Sequence, residues 1–265
     1  MSSTPSTRDS AVRIGLIYPE LLGTYGDRGN AVVLVQRSRW RGIPAELVEV
    51  DAGQPIPDSL DVYIFGGGED DPMEMAAAGM RESKPSIERA HANGAVVLAV
   101  CGGYQLIGHR YIAADGEILE GMGMVDLETR AGAPRLIGEI VAKPMTNDAW
   151  GEFGPPHALT GFENHGGRTT LGPGLTPLGE VLAGGGNGDG SGTEGMLAER
   201  VIGTYLHGPV LARNPELADR MIAWVAGNIP PLDATLEQRL RAERLDAGMV
   251  RGAHKWWRDK MLARG

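Results

Sequence analysis

The segment Val96-Val97-Leu98-Ala99-Val100-Cys101-Gly102-Gly103-Tyr104-Gln105 constrains this chain more than any other. An apolar run of strand character drives straight into the single cysteine, two glycines follow, and the pattern beyond them can continue as a helix. A strand that turns sharply into a helix at a nucleophile holds the side chain up at the carboxyl edge of a sheet, and neighbouring glycines relieve the crowding of such a turn. The helix N-terminus just past the cysteine offers N–H groups and partial positive charge that can steady an oxyanion. The competing reading is a buried structural cysteine, which leaves the flanking glycines and Gln105 without a use.

Strand-like and helical patterns alternate around this segment. Val12 to Tyr18 reads as a first strand, Asn30 to Arg41 as a helix, Ala45 to Val50 as a second strand, and Asp61 to Phe65 as a third strand running into Gly66-Gly67-Gly68. A helical pattern follows to about Asn93, with Pro85 expected to break it or to open a second helix. This alternation predicts an α/β, doubly wound, mainly parallel sheet covered on both faces, with any site along the carboxyl edge of its strands. After Gly121 the pattern changes to short strand candidates: Gly123 to Thr129, Arg135 to Ala142, Gly161 to Glu163, Pro177 to Leu182, Gly195 to Ala198 and Val201 to Tyr205. These read as antiparallel additions to the core. Asn214 to Gly227 reads as a closing helix with an Asn-Pro-Glu start.

The expected organisation is a polar leader over 1–11, one catalytic domain over 12–229 and a charged helical extension over 230–265. Trp256-Trp257 in the extension would pack on the domain or dock a partner. The stretch Gly184 to Gly192 reads as a flexible hairpin loop. Gly190-Ser191-Gly192-Thr193-Glu194-Gly195 within it matches a dinucleotide fingerprint only formally, because no strand-to-helix unit surrounds it.

With 265 residues, 42% of them hydrophobic, the chain can bury a substantial core. A net charge of −9 gives nucleic-acid or anionic-membrane binding no electrostatic support. The single cysteine, the absence of a signal-peptide pattern at Met1 to Ser10 and of any run of ~20 apolar residues point to a cytoplasmic protein. The sequence carries no metal-spaced His/Cys cluster and no Walker loop.

A cysteine nucleophile needs a base and an oxyanion hole. Of the six histidines, His207 is favoured, because Gly203-Thr204-Tyr205-Leu206-His207-Gly208-Pro209 places it at the end of an apolar strand. His165, in Glu163-Asn164-His165-Gly166-Gly167-Arg168, is the second choice, as a possible site residue or as a loop-shaping hydrogen bonder. Gly66-Gly67-Gly68 can bring backbone N–H groups close to a substrate or form a tight turn, and Arg135 at the start of a strand could hold a substrate carboxylate.

These residues resemble the class I glutamine amidotransferase family, whose nucleophile turn has the form Cys-x-Gly-x-Gln, matched by Cys101, Gly103 and Gln105. Glu163-Asn164-His165-x-Gly167 and Gly203-Thr204-Tyr205-Leu206-His207-Gly208 are similar to the branch that includes cobyric acid synthase. Thr24-Tyr25-Gly26-Asp27-Arg28-Gly29-Asn30, Gly66-Gly67-Gly68-Glu69-Asp70 and Arg135-Leu136-Ile137-Gly138-Glu139 further resemble the free-standing glutaminase subunits of lipid II isoglutaminyl synthase, and the likeness covers roughly Val12 to Gly227.

The resemblance implies a flavodoxin-like fold, with Cys101 as nucleophile and His207 as base. It implies Arg135 and Gln105 as substrate-binding residues, with backbone N–H groups of Gly67, Gly68 and Gly102 as the oxyanion hole. It implies L-glutamine as substrate and a separate Mur-ligase-like synthetase subunit as partner, with ATP and Mg on that partner and no cofactor or metal in this chain. Many class I members carry a Glu two residues after the histidine, whereas Pro209 stands there here. The site is therefore expected to work as a dyad or to receive its orienting acid from elsewhere, with a carboxylate of the synthetase subunit as the expected source. An amidotransferase for another acceptor, such as a corrinoid acid, and a non-catalytic binding or redox-sensor module on the same fold are the alternatives.

Overall fold

The computed structural model describes residues 10–23, 26–145, 157–246 and 249. Leader residues 1–9, Thr24, Tyr25, His254 and the Trp256-Trp257 pair lie outside the described residues. The core sheet has the order β11-β12-β4-β3-β1-β2, formed by β1 (Val12–Ile17), β2 (Ala45–Val50), β3 (Val62–Phe65), β4 (Val96–Val100), β11 (Met196–Ala198) and β12 (Val201–Thr204). All pairs are parallel except the edge pair β11–β12. The order 2-1-3-4-12 of the parallel strands is the flavodoxin-like arrangement. Every residue of β3 and β4 is buried, which is why both read as unbroken apolar runs rather than alternating ones.

Helix α1 (Arg28–Trp40) packs against α4 (Val210–Arg213) and α5 (Pro215–Ala226), while α2 (Asp70–Ala92) contacts the short α3 (Gly102–Leu106). Helix α2 runs unbroken through Pro85, contrary to the expected break. Pro85 and Arg81, whose carbonyl would have been the lost acceptor, both lie on the exposed side, where water can satisfy the released group. A further helix at 235–246 is tied to the domain by Arg37 with Glu237 and by Arg241 with Glu216. Among the described residues, no helix is long and apolar enough to cross a membrane.

The second sheet has the order β10-β9-β7-β5-β6, with β8 also on β7. Its strands are β5 (Arg110–Ile112), β6 (Ile118–Glu120), β7 (Leu127–Pro144), β8 (Leu159–Leu171), β9 (Gly179–Ala183) and β10 (Thr193–Glu194). The two candidates at Gly123 to Thr129 and Arg135 to Ala142 are therefore one long strand, interrupted by a register shift between Ala131 and Leu136. That bulge absorbs Gly132 and Pro134, which made the run look like two pieces. The segment Val201 to Tyr205, expected among the antiparallel additions, is instead a central parallel strand beside β4. The loop between β9 and β10 is a hairpin loop as expected, but it is pinned: Gly185 and Gly186 donate to Glu163, and buried Asn187 accepts from Gly195 and donates back to its carbonyl. Asn214 precedes α5, yet its side chain does not cap the helix; it bonds to Thr160 and Val210 instead.

Candidate active site

Parallel register brings three strand exits together. Phe65 pairs with Ala99, and Val100 pairs with Thr204, so Gly66, Cys101 and the segment leading to His207 leave the same edge side by side. Cys101 sits between β4 and α3 with φ 50° and ψ −106°. This strained backbone points a side chain out of a strand-to-helix turn and costs about 1–3 kcal/mol. The surroundings hold it. The Cys101 N–H donates to the Thr204 carbonyl at 2.9 Å, its carbonyl accepts from Gln105 at 2.9 Å, and Gly103 donates to the Gly66 carbonyl at 2.9 Å.

His207 is buried, and an isolated bridge to Phe162 joins its backbone to β8. Burial alone would drive its imidazole down; interactions with the Asp27 carboxylate and the Cys101 sulfur outweigh it and raise the pKa to about 10. The Nδ1 atom lies 3.8 Å from Asp27 Oδ2, an ion-pair separation rather than a direct hydrogen bond. The histidine beside Cys101 is thus His207. His165 is buried in β8, stacked on Tyr205 at 3.6 Å between ring centroids, and donates from Nδ1 to the Gly167 carbonyl at 3.0 Å. Burial pushes its pKa down to about 3, so the ring stays neutral.

The expected oxyanion donors divide. The Gly67 N–H donates to Asp27 Oδ2 at 2.8 Å and is therefore spent within the protein. Gly68 and Gly102 have no acceptor for their N–H groups among the described residues. The two meet closely: a Cβ on Gly102 would lie 2.9 Å from the Gly68 nitrogen. Glycine at 102 is what lets the Gly68 backbone come this close to the cysteine turn.

Gln105 is held within the protein through its amide nitrogen. It is buried and donates to the Tyr205 hydroxyl at 3.2 Å, within a network that runs through Thr169 to Thr129. Its structural duty is to join α3 to the second sheet. Glu194 lies in the same buried region, accepting from the Thr204 hydroxyl and the Tyr205 N–H; burial raises its pKa to about 7. Arg135 is exposed, within the bulge of β7 between Ala131 and Leu136, and donates to Asn164 Oδ1 at 2.7 Å and to the Asn164 carbonyl at 3.1 Å. That rim position is compatible with holding a substrate carboxylate.

The residue that sequence reasoning missed is Asp27. The motif Tyr25-Gly26-Asp27-Arg28-Gly29-Asn30 carries the resemblance but assigns this residue no role, and the expected orienting acid lies on another polypeptide. The structure places a carboxylate oxygen of Asp27 3.8 Å from His207 Nδ1. The signal available was an acid beside a glycine at the start of α1; only the β1–α1 turn shows that the acid faces His207. Among the described residues no group of His, Cys, Asp and Glu is arranged to hold a metal ion.

The sequence matches the profile of the CobB/CobQ-like glutamine amidotransferase domain over residues 13–215. The lipid II isoglutaminyl synthase (glutamine-hydrolyzing) subunit GatD of Staphylococcus aureus (strain N315) is 39% identical over 202 residues, covering 76% of this chain and 79% of that protein. The GatD subunit of Streptococcus pneumoniae (strain ATCC BAA-255 / R6) is 35% identical over 224 residues, covering 84% and 83%. A solved structure of PurLQS from Thermotoga maritima superposes with a TM-score of 0.60 at 14% identity, over 81% of this chain and 99% of that one, a likeness of fold.

Proposed function

The chain belongs to the CobB/CobQ-like glutamine amidotransferase family, and from that premise we propose that it is the glutaminase subunit of a lipid II isoglutaminyl synthase. The Cys101 sulfur, its proton held by His207, attacks the side-chain amide carbon of L-glutamine. The oxyanion is received by the N–H groups of Gly68 and Gly102. His207 passes its proton to the departing nitrogen, ammonia leaves, and a thioester remains on Cys101. His207 then takes a proton from water, which attacks the thioester and releases glutamate. Arg135 holds the α-carboxylate of the substrate at the rim.

The observation that carries the acceptor is the match along most of the length of two GatD subunits. Ammonia would pass to a Mur-ligase-like synthetase subunit (MurT), which uses ATP and Mg to activate D-glutamate of the lipid II stem peptide and form D-isoglutamine. The reaction would run in the cytoplasm, where glutamine and ATP are supplied. A corrinoid acid is the competing acceptor within the family. A redox-sensor module is disfavoured because it would need neither a histidine beside the sulfur nor the Gly68 backbone so close to the cysteine turn.

The test is to reconstitute the chain with the synthetase subunit, lipid II, ATP, Mg and glutamine, and to follow conversion of the D-glutamate carboxyl to a carboxamide by mass. Amidation that glutamine supports in the wild type but not in Cys101→Ala is the expected result. Amidation of a corrinoid acid in place of lipid II would refute the acceptor, and glutamine-driven amidation in Cys101→Ala would refute the nucleophile.

A further inference from the structure

We infer that Asp27 is the positioning residue of this site: one carboxylate aims the His207 imidazole and also clamps the glycine loop whose next amide receives the oxyanion. This rests on the glutaminase reading and adds to it a duty for the β1–α1 turn. Asp27 is fully buried. Its Oδ2 accepts the Gly67 N–H at 2.8 Å and faces His207 Nδ1 at 3.8 Å, while Oδ1 lies 3.5 Å from the Asn30 amide nitrogen. A carboxylate so far from water is costly unless a cation or several donors meet it. The Gly67 N–H alone would be served equally well by a neutral carbonyl, so the negative charge finds its use in the imidazolium. With Nδ1 turned to Asp27, Nε2 is left for the Cys101 sulfur.

The turn is wedged in place. A Cβ on Gly29 would lie 2.2 Å from Pro209 Cγ, and one on Gly66 would lie 2.0 Å from the Leu22 carbonyl oxygen and 3.0 Å from Asp27 Cβ. Asn30 accepts the Leu211 N–H through Oδ1 at 3.0 Å. The start of α1 therefore touches both the exit of β3 and the segment after His207. Pro209 packs on Gly29, and that contact holds Asp27 against the imidazole. The other ionisable groups acting on His207 are Cys101, His165 from β8 and Glu194 from β10. His165 stays neutral, and Glu194 directs Oε1 to Thr204 and Tyr205. Asp27 is the carboxylate in ion-pair range of Nδ1. One displacement of Asp27 would thus disturb base and oxyanion hole together.

The discriminating substitution is Asp27→Asn, which keeps an acceptor for Gly67 but removes the charge. In the full chain, with folding checked by thermal melting, kcat for glutamine hydrolysis is expected to fall on the order of 100-fold or more, with KM changing by less than about threefold. The alkaline limb of the rate profile should move to lower pH. A variant within about threefold of wild-type kcat with an unchanged pH profile overturns the inference. A second measurement needs no turnover: nitrogen-detected NMR of Cys101→Ala, which removes the sulfur and leaves the carboxylate, should still find His207 titrating above the ordinary imidazole value, and titration at that value would overturn the inference as well. Failure of the wild type both to hydrolyse glutamine and to be labelled at Cys101 by a glutamine-analogue electrophile would sink the glutaminase reading instead, while the titration still reports on Asp27.

Discussion

Replacing Gly103 with Ala tests whether the cysteine turn depends on close approach of α3 to β3. A Cβ at 103 would lie 2.6 Å from the Phe65 carbonyl oxygen, 2.7 Å from Phe65 Cβ and 2.8 Å from the Phe65 carbonyl carbon. These atoms belong to a fully buried central strand and its side-chain root, so no flexible group can yield. Restoring ordinary contact near 3.5 Å requires α3 to retreat by about 1 Å. Overpacking of this kind costs about 1–3 kcal/mol, and stretching the Gly103–Gly66 hydrogen bond adds about 1 kcal/mol. The better helix propensity of alanine returns about 1 kcal/mol. The net loss is then about 1–3 kcal/mol, which lowers Tm by roughly 2–12 °C for a domain of this size. A shift of about 1 Å at the nucleophile reduces turnover by roughly 100-fold. Differential scanning calorimetry and a glutaminase assay measure both effects, with Gly174→Ala as control because nothing lies within 4 Å of its Cβ. A Gly103→Ala protein that melts within about 1 °C of wild type and hydrolyses glutamine at the wild-type rate would refute the reasoning.

Other tests address the buried polar groups. His165 is held neutral with a pKa of about 3, so the unfolded chain takes up a proton there before the folded one does, and stability is lost as pH falls from the ordinary imidazole value toward 3. Between pH 6.5 and 5 the wild type should lose about 2 kcal/mol more than His165→Gln in urea unfolding; parallel profiles would argue against this. Asn214→Ala removes bonds to Thr160 N–H, Thr160 C=O and Val210 C=O, each 2.8 Å. With the buried Thr160 N–H left unmet, while the Val210 carbonyl keeps its bond from the backbone N–H of residue 214, a loss of about 1–3 kcal/mol is expected, and a midpoint unchanged in urea would count against it.

The amino-acid sequence by itself determined the parallel core and the strand-to-helix turn at Cys101. Runs such as Val62–Phe65 and Val96–Val100 are apolar at every position because both faces are covered, and that periodicity is local. So is the strand–cysteine–glycine pattern that bends the chain at Cys101, and the isolated strand end before His207. Elements whose character depends on a neighbour were not legible this way. The strand Val201–Thr204 resembles its short antiparallel companions, and only its register with β4 makes it central. The continuity of β7 across its bulge is decided by β8, and the survival of α2 at Pro85 by which side faces water. The division of labour among the glycines and acids is tertiary for the same reason. Gly67 and Gly68 are adjacent and chemically identical, yet one amide is consumed by Asp27, a residue 40 positions away in the chain. A hydrogen bond or a buried ion pair is a relation between surfaces, and local patterning records only which side of an element is apolar, not what will be placed against it.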